Sequence, residues 1–424
     1  MKSRIRLQLS AMMFLEFFIW GAWFVSLGTF LGANLNATGA ESARVFSTQS
    51  WGAIIAPFII GLIADRYFNA ERIMGVLHLV GAALMFFMYR AESVAEFYPF
   101  TLAYMILYMP TIAFSNSVAF RQMENPDKEF SGVRMLGTIG WITAGLLISY
   151  VFRWDTGQGL ADGMLRNTFM MAGTASLVLG LFSFTLPKTP PVKTKDEKVK
   201  ISEILGLDAL KLLADKNYLI FFLSAVFICV PLAFYYQITN EFLQNTGVTK
   251  ATGLMSIGQA SEAIFLLLLP YFFKRFGFKK TILAGMLAWV IRYVLFAYGN
   301  AGDGFILLIT GIALHGICYD FFFVSGYIYT NQKAGEKYKS AAQGLITLAT
   351  YGVGMLVGFE VAGFVSDHYK LGDKLYDYQT IWLIPRGIAA FVFIFFTLFF
   401  RDSSNKEKTK YISGRTKRQM ISKL

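Results

Sequence analysis

Asp320 sits where a carboxylate is costly. The segment Ile306–Gly326, ILLITGIALHGICYDFFFVSG, is long and apolar enough to cross a bilayer, since about 20 residues span the roughly 30 Å hydrocarbon core. A charge near the middle of a spanning helix costs on the order of 2.5–3.5 kcal/mol on insertion scales, so it must face a polar cavity or a partner. Glu262 poses the same question in SIGQASEAIFLLLLP, where eight apolar residues follow it. Gln259 and Glu262 share one helical face, as do His315 and Tyr319, with Asp320 rotated about one residue from Tyr319. Asp320 is read as lining a substrate path between two helical bundles, and Asp320 and Glu262 as the candidate proton carriers. The plainer alternative is a buried polar group that only ties two helices together.

Two more stripes carry polar chemistry. Arg134, Thr138 and Trp141 in RMLGTIGW fall on one face. A guanidinium, a hydroxyl and an indole make a surface for a polar ligand that contains a ring, unless Arg134 simply snorkels to the interface. Gln237, Asn240 and Gln244 in YYQITNEFLQN form the second stripe. Amides both donate and accept, and beside Tyr235 and Tyr236 they read as a cavity wall rather than interhelical packing. Arg292, Glu360 and Arg386 are further charges in apolar runs, read as structural ion partners, and Glu16 lies four residues before Trp20 in the first run.

These residues need long apolar helices to hold them. Of 424 residues, 55% are hydrophobic, 17% aromatic and only 16% charged, against about 25% charged in soluble domains. Apolar runs fall at about 8–34, 43–66, 72–91, 97–120, 133–153 and 164–187, then 217–244, 252–274, 280–299, 303–329, 341–366 and 379–400. The expected fold is an all-α membrane protein with twelve transmembrane helices in two six-helix bundles. Its parts are an N-terminal bundle (1–187), a cytoplasmic linker (188–216) with a short amphipathic helix at Ile201–Leu213, a C-terminal bundle (217–400) and a basic tail (401–424). A β-barrel would show short alternating segments instead. The start of the chain is read as an uncleaved first helix, because its apolar region is too long for a signal peptide.

Charge placement orients the chain. Arg66, Arg72, Lys274, Arg275, Lys279, Lys280, Lys333, Lys337 and Lys339 fall in loops on one side, with the linker and the tail. The loops Asn34–Ser42 and Asn300–Gly304 are nearly free of Lys and Arg. By the positive-inside bias both termini are cytoplasmic. This distribution, not nucleic acid, explains the net charge of +12. Cys229 and Cys318 each lie in an apolar run, which fits neither a disulfide framework nor a zinc site. No phosphate loop or catalytic constellation stands out, so neither an enzyme nor a cofactor is expected.

The loop GLIADRYFNAERI resembles the signature of the major facilitator superfamily, with Gly61, Asp65 and Arg66 as a gating loop. Longer stretches, LGLDALKLLADK, YYQITNEFL, SIGQASEAIFLLLLPYFFKRFGFKK, AWVIRYVLFAYG and GICYDFFFVSG, resemble the bacterial nucleoside–proton symporters of that superfamily. The similarity runs from FFIWGAWFVSLGTF to TIWLIPRG, almost the whole chain. It implies proton-driven uptake of uridine-like or adenosine-like nucleosides across the inner membrane by a monomer, with alternating access around a site between the halves. It also implies a substrate site of Arg134, Thr138, Trp141, Gln237, Asn240, Gln259, Glu262, His315, Tyr319 and Asp320. His315 stands where the family has a tyrosine, and Trp141 and Tyr319 stand where it has phenylalanines. A sugar or glycoside symporter and a nucleoside-binding membrane receptor are the rival readings.

Overall fold

A computed structural model of the protein describes residues 2–60, 67–124, 126–191, 207–372 and 375–401. The expected gating loop (Gly61, Asp65 and Arg66), residues 192–206 of the linker and the tail beyond Arg401 lie outside the described residues.

The chain is helical nearly throughout. Its main helices are α1 (Ser3–Gly21), α2 (Leu27–Leu35), α3 (Gly39–Ile59), α4 (Ala70–Arg90), α5 (Val94–Arg121), α6 (Pro126–Leu146) and α7 (Asn167–Ser183). After the linker come α8 (Lys216–Asn245), α9 (Ala251–Tyr298), α10 (Phe305–Ala313), α11 (His315–Tyr319), α12 (Ser325–Thr347), α13 (Met355–His368) and α14 (Tyr378–Phe399). A small antiparallel hairpin, Lys370–Gly372 with Leu375–Tyr376, precedes α14. Eight stretches among the described residues are long and apolar enough to span a bilayer. The apolar run at 8–34 is two helices rather than one, with the chain turning at 22–26. Of the expected linker helix, the described part is a tight 3₁₀ turn at Leu207–Ala214.

Breaks in the helices have identifiable causes. Gly277 has φ 76° inside α9 and Gly335 has φ 63° inside α12, a left-handed conformation that glycine alone adopts freely. Each break falls in a polar, basic interval between apolar runs. The turns at Leu147–Val151, Asp320–Val324 and Leu348–Gly354 are widened to π geometry, which shifts the register of the side chains around them.

The interior is apolar, as in a water-soluble protein, but large apolar side chains also cover the outer surface. Leu267, Phe364 and Leu398 are about 70% exposed (71%, 69% and 69%), as lipid solvation allows. Glu16, Arg292, His315 and Asp320 are buried. Glu360 and Arg386, read from sequence as buried ion partners, are exposed on the outer surface. A single spanning run fixes hydrophobicity but not which side of its helix meets lipid. α8 is the most enclosed of the long helices, with 72% of its apolar window buried. Within the N-terminal helices α1 packs on α6, α3 on α5, and α4 on α7; within the C-terminal set α9 packs on α10, α11 and α14. The two sets meet where α13 lies on α3 and α9 on α6.

Candidate functional site

A cavity of about 710 Å³ lies between the N-terminal and C-terminal helices, within the range of small-molecule sites. One wall is α6. Arg134, Thr138 and Trp141 all reach the cavity, as their spacing of four and three dictates. Arg134 does not snorkel away. Its Cζ lies 3.8 Å from the centre of the Phe17 ring, a cation–π contact that holds the guanidinium at the wall. Trp141 meets Trp20 edge to face, with ring centroids 5.4 Å apart. Among the described residues neither indole N–H has a hydrogen-bond partner.

The opposite wall comes from α9, α11 and α12. Gln259, Glu262, His315 and Tyr319 line it together with Tyr236, Tyr327, Gln343 and Tyr351. The Tyr319 and Tyr351 hydroxyls are hydrogen-bonded to each other. Glu262 Oε2 lies 3.7 Å from His315 Nε2, and the Glu262 side chain is 26% exposed against 2% for His315. The wall thus offers a carboxylate that projects and an imidazole set back behind it.

Three expected site residues are placed elsewhere. Gln237 and Asn240 are buried in the seam between the two helix sets. Asn240 Oδ1 accepts from Thr29 Oγ1 at 2.6 Å, and its Nδ2 donates to Thr252 Oγ1 at 3.2 Å. The stripe is real but meets the seam, Asn240 reaching α2 and α9 and Gln244 the carbonyl of Asp155. Since α8 is enclosed on most sides, polarity alone did not say which internal surface each residue meets. Tyr236, one position and about 100° round from Gln237, takes the cavity. Asp320 is also off the wall: it is 1% exposed, and among the described residues both carboxylate oxygens lack a hydrogen-bond partner. It opens the π turn at 320–324 and is not among the residues that line the cavity.

Sequence reasoning missed Phe17, Trp20, Asn116, Tyr327, Gln343 and Tyr351 on the lining. Trp20, four residues beyond Glu16, and Tyr327, just past the Asp320 segment, were the available signals. Glu16 itself belongs to a separate cluster inside the N-terminal helices. Its Oε2 lies 3.0 Å from His78 Nε2, and its Oε1 accepts from Thr111 Oγ1 at 2.6 Å.

The cavity is shut at one end. There Gly28 lies against the backbone of Gln237, where a Cβ would overlap the carbonyl oxygen. Thr252 N donates to Asp155 Oδ2 at 3.0 Å, Gly253 N to Ser149 Oγ at 2.7 Å, and Gln244 Nε2 to the Asp155 carbonyl at 2.8 Å. Gly39 N and Ala40 N donate to Asp367 at 2.6 and 2.8 Å. These contacts gather at the helix ends on the side of the Asn34–Ser42 loop, where Asn34 Nδ2 also donates to the Gly163 carbonyl at 2.9 Å. The cavity lining continues the other way, through Asn116, Arg134, Gln343 and Gly344, toward the basic loops.

Comparison with known proteins places this geometry. The family pattern described as Nucleoside H+ symporter matches residues 1–405. The chain is 40% identical to the putative nucleoside transporter YegT of Escherichia coli K12 over 407 residues, 94% of each chain. It is 35% identical to the xanthosine permease of the same organism over 426 residues, covering 96% of this chain and 98% of that one. The solved structure of the nucleoside transporter NupG superposes with a TM-score of 0.83 at 28% identity, covering 94% of this chain and 99% of that one.

Proposed function

The chain belongs to the nucleoside H+ symporter family, and from that premise we propose how the cavity works. The protein is a multi-pass membrane transporter of nucleosides coupled to protons, not an enzyme. The finer reading is uptake across a bacterial inner membrane, both termini cytoplasmic, by a monomer of twelve helices in two six-helix bundles (1–187 and 217–400). The described conformation is then inward-facing, closed where Asp155 and Asp367 stand and open toward the basic loops.

The observation that carries this reading is the composition of the two walls. Each half supplies aromatic rings and fixed polar groups to one cavity, as an amphipathic ring-plus-ribose ligand requires. The base stacks on Trp141 or Tyr319. Thr138, Gln259, Glu262 and His315 bond its edge and the ribose hydroxyls. Gln237 and Asn240 act at the seam that opens and closes, not on the ligand. The gating loop with Gly61, Asp65 and Arg66 serves the opposite, cytoplasmic gate.

Asp320 carries the proton in this scheme. An unpaired carboxylate is far costlier to bury charged than neutral, so Asp320, buried and without a hydrogen-bond partner among the described residues, suits the proton-loaded carrier. Glu262, on the wall beside the ligand, senses occupancy, with Arg134 as its charge partner. Uptake of labelled uridine into proteoliposomes, with and without an imposed inward proton gradient, tests the reading. Accumulation that vanishes with a protonophore supports it; binding without accumulation would favour a receptor.

A further inference from the structure

His315 is held from behind by an arginine. Arg292 is fully buried in α9, outside the cavity lining, with Cζ 3.5 Å from the centre of the Tyr235 ring. Its Nη1 lies 3.1 Å from His315 Nδ1. A guanidinium only donates. The Nδ1 that faces it must therefore accept, so His315 is neutral and carries its proton on Nε2, the nitrogen toward Glu262. Tyr235 stacks on the ring at 4.9 Å and keeps it in plane. The cavity-side nitrogen is thus a fixed N–H donor, unlike a tyrosine hydroxyl or a rotatable amide, which can serve in either role.

Beside this donor stands an acceptor. Glu262 Oε2 is 3.7 Å from His315 Nε2, too far for a good hydrogen bond between them and free to receive a ligand N–H. The two are set at different depths: Glu262 projects into the cavity and His315 is recessed. On a nucleobase edge the exocyclic atom protrudes and the ring nitrogen lies back. The protruding atom meets recessed His315, and the ring nitrogen meets projecting Glu262. A fixed donor demands an acceptor there, which is an oxo group and not an amino group.

We infer that His315 and Glu262 read the lactam edge, O=C–N–H, of oxo-nucleobases, with Arg292 as the positioning residue that fixes the donor. This rests on the cavity being the nucleoside site. Uridine and inosine present that edge; cytidine and adenosine present an amino group beside a bare ring nitrogen. In the same seating the amino bases leave a buried donor and a buried acceptor facing their own kind, a mismatch of the sort that discriminates by tenfold or more.

The test is competition against labelled uridine uptake in proteoliposomes under a proton gradient, using the matched pairs uridine/cytidine and inosine/adenosine. The expected result is at least tenfold weaker competition by the amino member of each pair. His315→Gln, whose amide can turn, brings both ratios toward one. Arg292→Gln does the same without touching the ligand, because its amide lets the imidazole take either tautomer; a merely structural role would lower uptake of all four nucleosides alike. Equal competition in the wild type, or ratios unchanged in His315→Gln, overturns the inference even if Arg292→Gln fails to reach the membrane. Absence of uptake of every nucleoside overturns the transport reading instead, and the inference with it.

Discussion

Asp367 caps a helix to which it is not connected. Its carboxylate takes the N–H groups of Gly39 and Ala40 at 2.6 and 2.8 Å, while Thr38 Oγ1 takes the next, from Glu41, at 3.1 Å. The first turn of α3 is therefore satisfied partly from within and partly from the end of α13. Asp155 does the same for the start of α9. In both cases a carboxylate of one helix set meets the positive end of a helix in the other, which favours the closed seam.

Breaking these caps should move the gate. A carboxylate at a helix N-terminus contributes about 0.3–1 kcal/mol at the surface and up to about 2 kcal/mol when partly buried. Asp155, which is buried, should therefore matter more than exposed Asp367. Asp155→Asn or Asp367→Asn should raise the population open at this end, by up to roughly 30-fold for the first and roughly 5-fold for the second. Labelling of a cysteine introduced at Thr29 with an impermeant maleimide checks this. Unchanged labelling rates in both variants would mean that the caps do not hold the seam.

Asp320→Asn should separate binding from coupling. The amide is neutral at every pH, so the cavity still binds uridine while an imposed proton gradient no longer accelerates uptake. Exchange of internal for external uridine should persist. A variant that remains fully gradient-driven would remove Asp320 from the coupling role.

The aromatic wall should set affinity. Trp141→Phe keeps a ring and should weaken uridine binding only a few-fold. Trp141→Ala loses stacking of about 1–3 kcal/mol per base, or roughly 5- to 150-fold in Kd by calorimetry. Equal affinities for the two variants would place the base elsewhere, with Tyr319 the next ring to change.

Asp215 gives a pH signature outside the membrane. Burial works to raise its carboxyl, but the Lys333 ammonium at 2.8 Å and the N–H groups of Tyr218 and Asn217 outweigh it, and the carboxyl is held below the usual aspartate value. With the folded value depressed, its stabilisation is present in full above the unfolded aspartate pKa and is lost as pH falls through the folded one. Asp215→Asn should lower the thermal midpoint slightly at pH 7, and the difference from the wild type should shrink as the pH is taken down through the acid range. The effect is small because Asp215 is 43% exposed, where ion pairs contribute at most about 1 kcal/mol.

The primary structure alone determined that this is a helical membrane protein, and family-length resemblance carried its function. Hydropathy is additive along the chain, so runs of 20 apolar residues announce themselves without knowledge of their neighbours. The i, i+3, i+4 rule was enough to put Arg134 with Thr138 and Trp141, Gln259 with Glu262, and His315 with Tyr319. It could not say what each stripe faces. In a bundle whose interior includes both a cavity and a packed seam, both surroundings accept polar residues. Only the tertiary structure decided that Asn240 bonds Thr29 across the seam, that Tyr236 takes the place expected for Gln237, and that Asp320 is buried off the cavity lining. The pairing of Arg292 with His315, residues 23 positions apart, was likewise invisible in the chain. Such contacts depend on how helices are rotated against one another, and that rotation is set by the packing of many side chains at once.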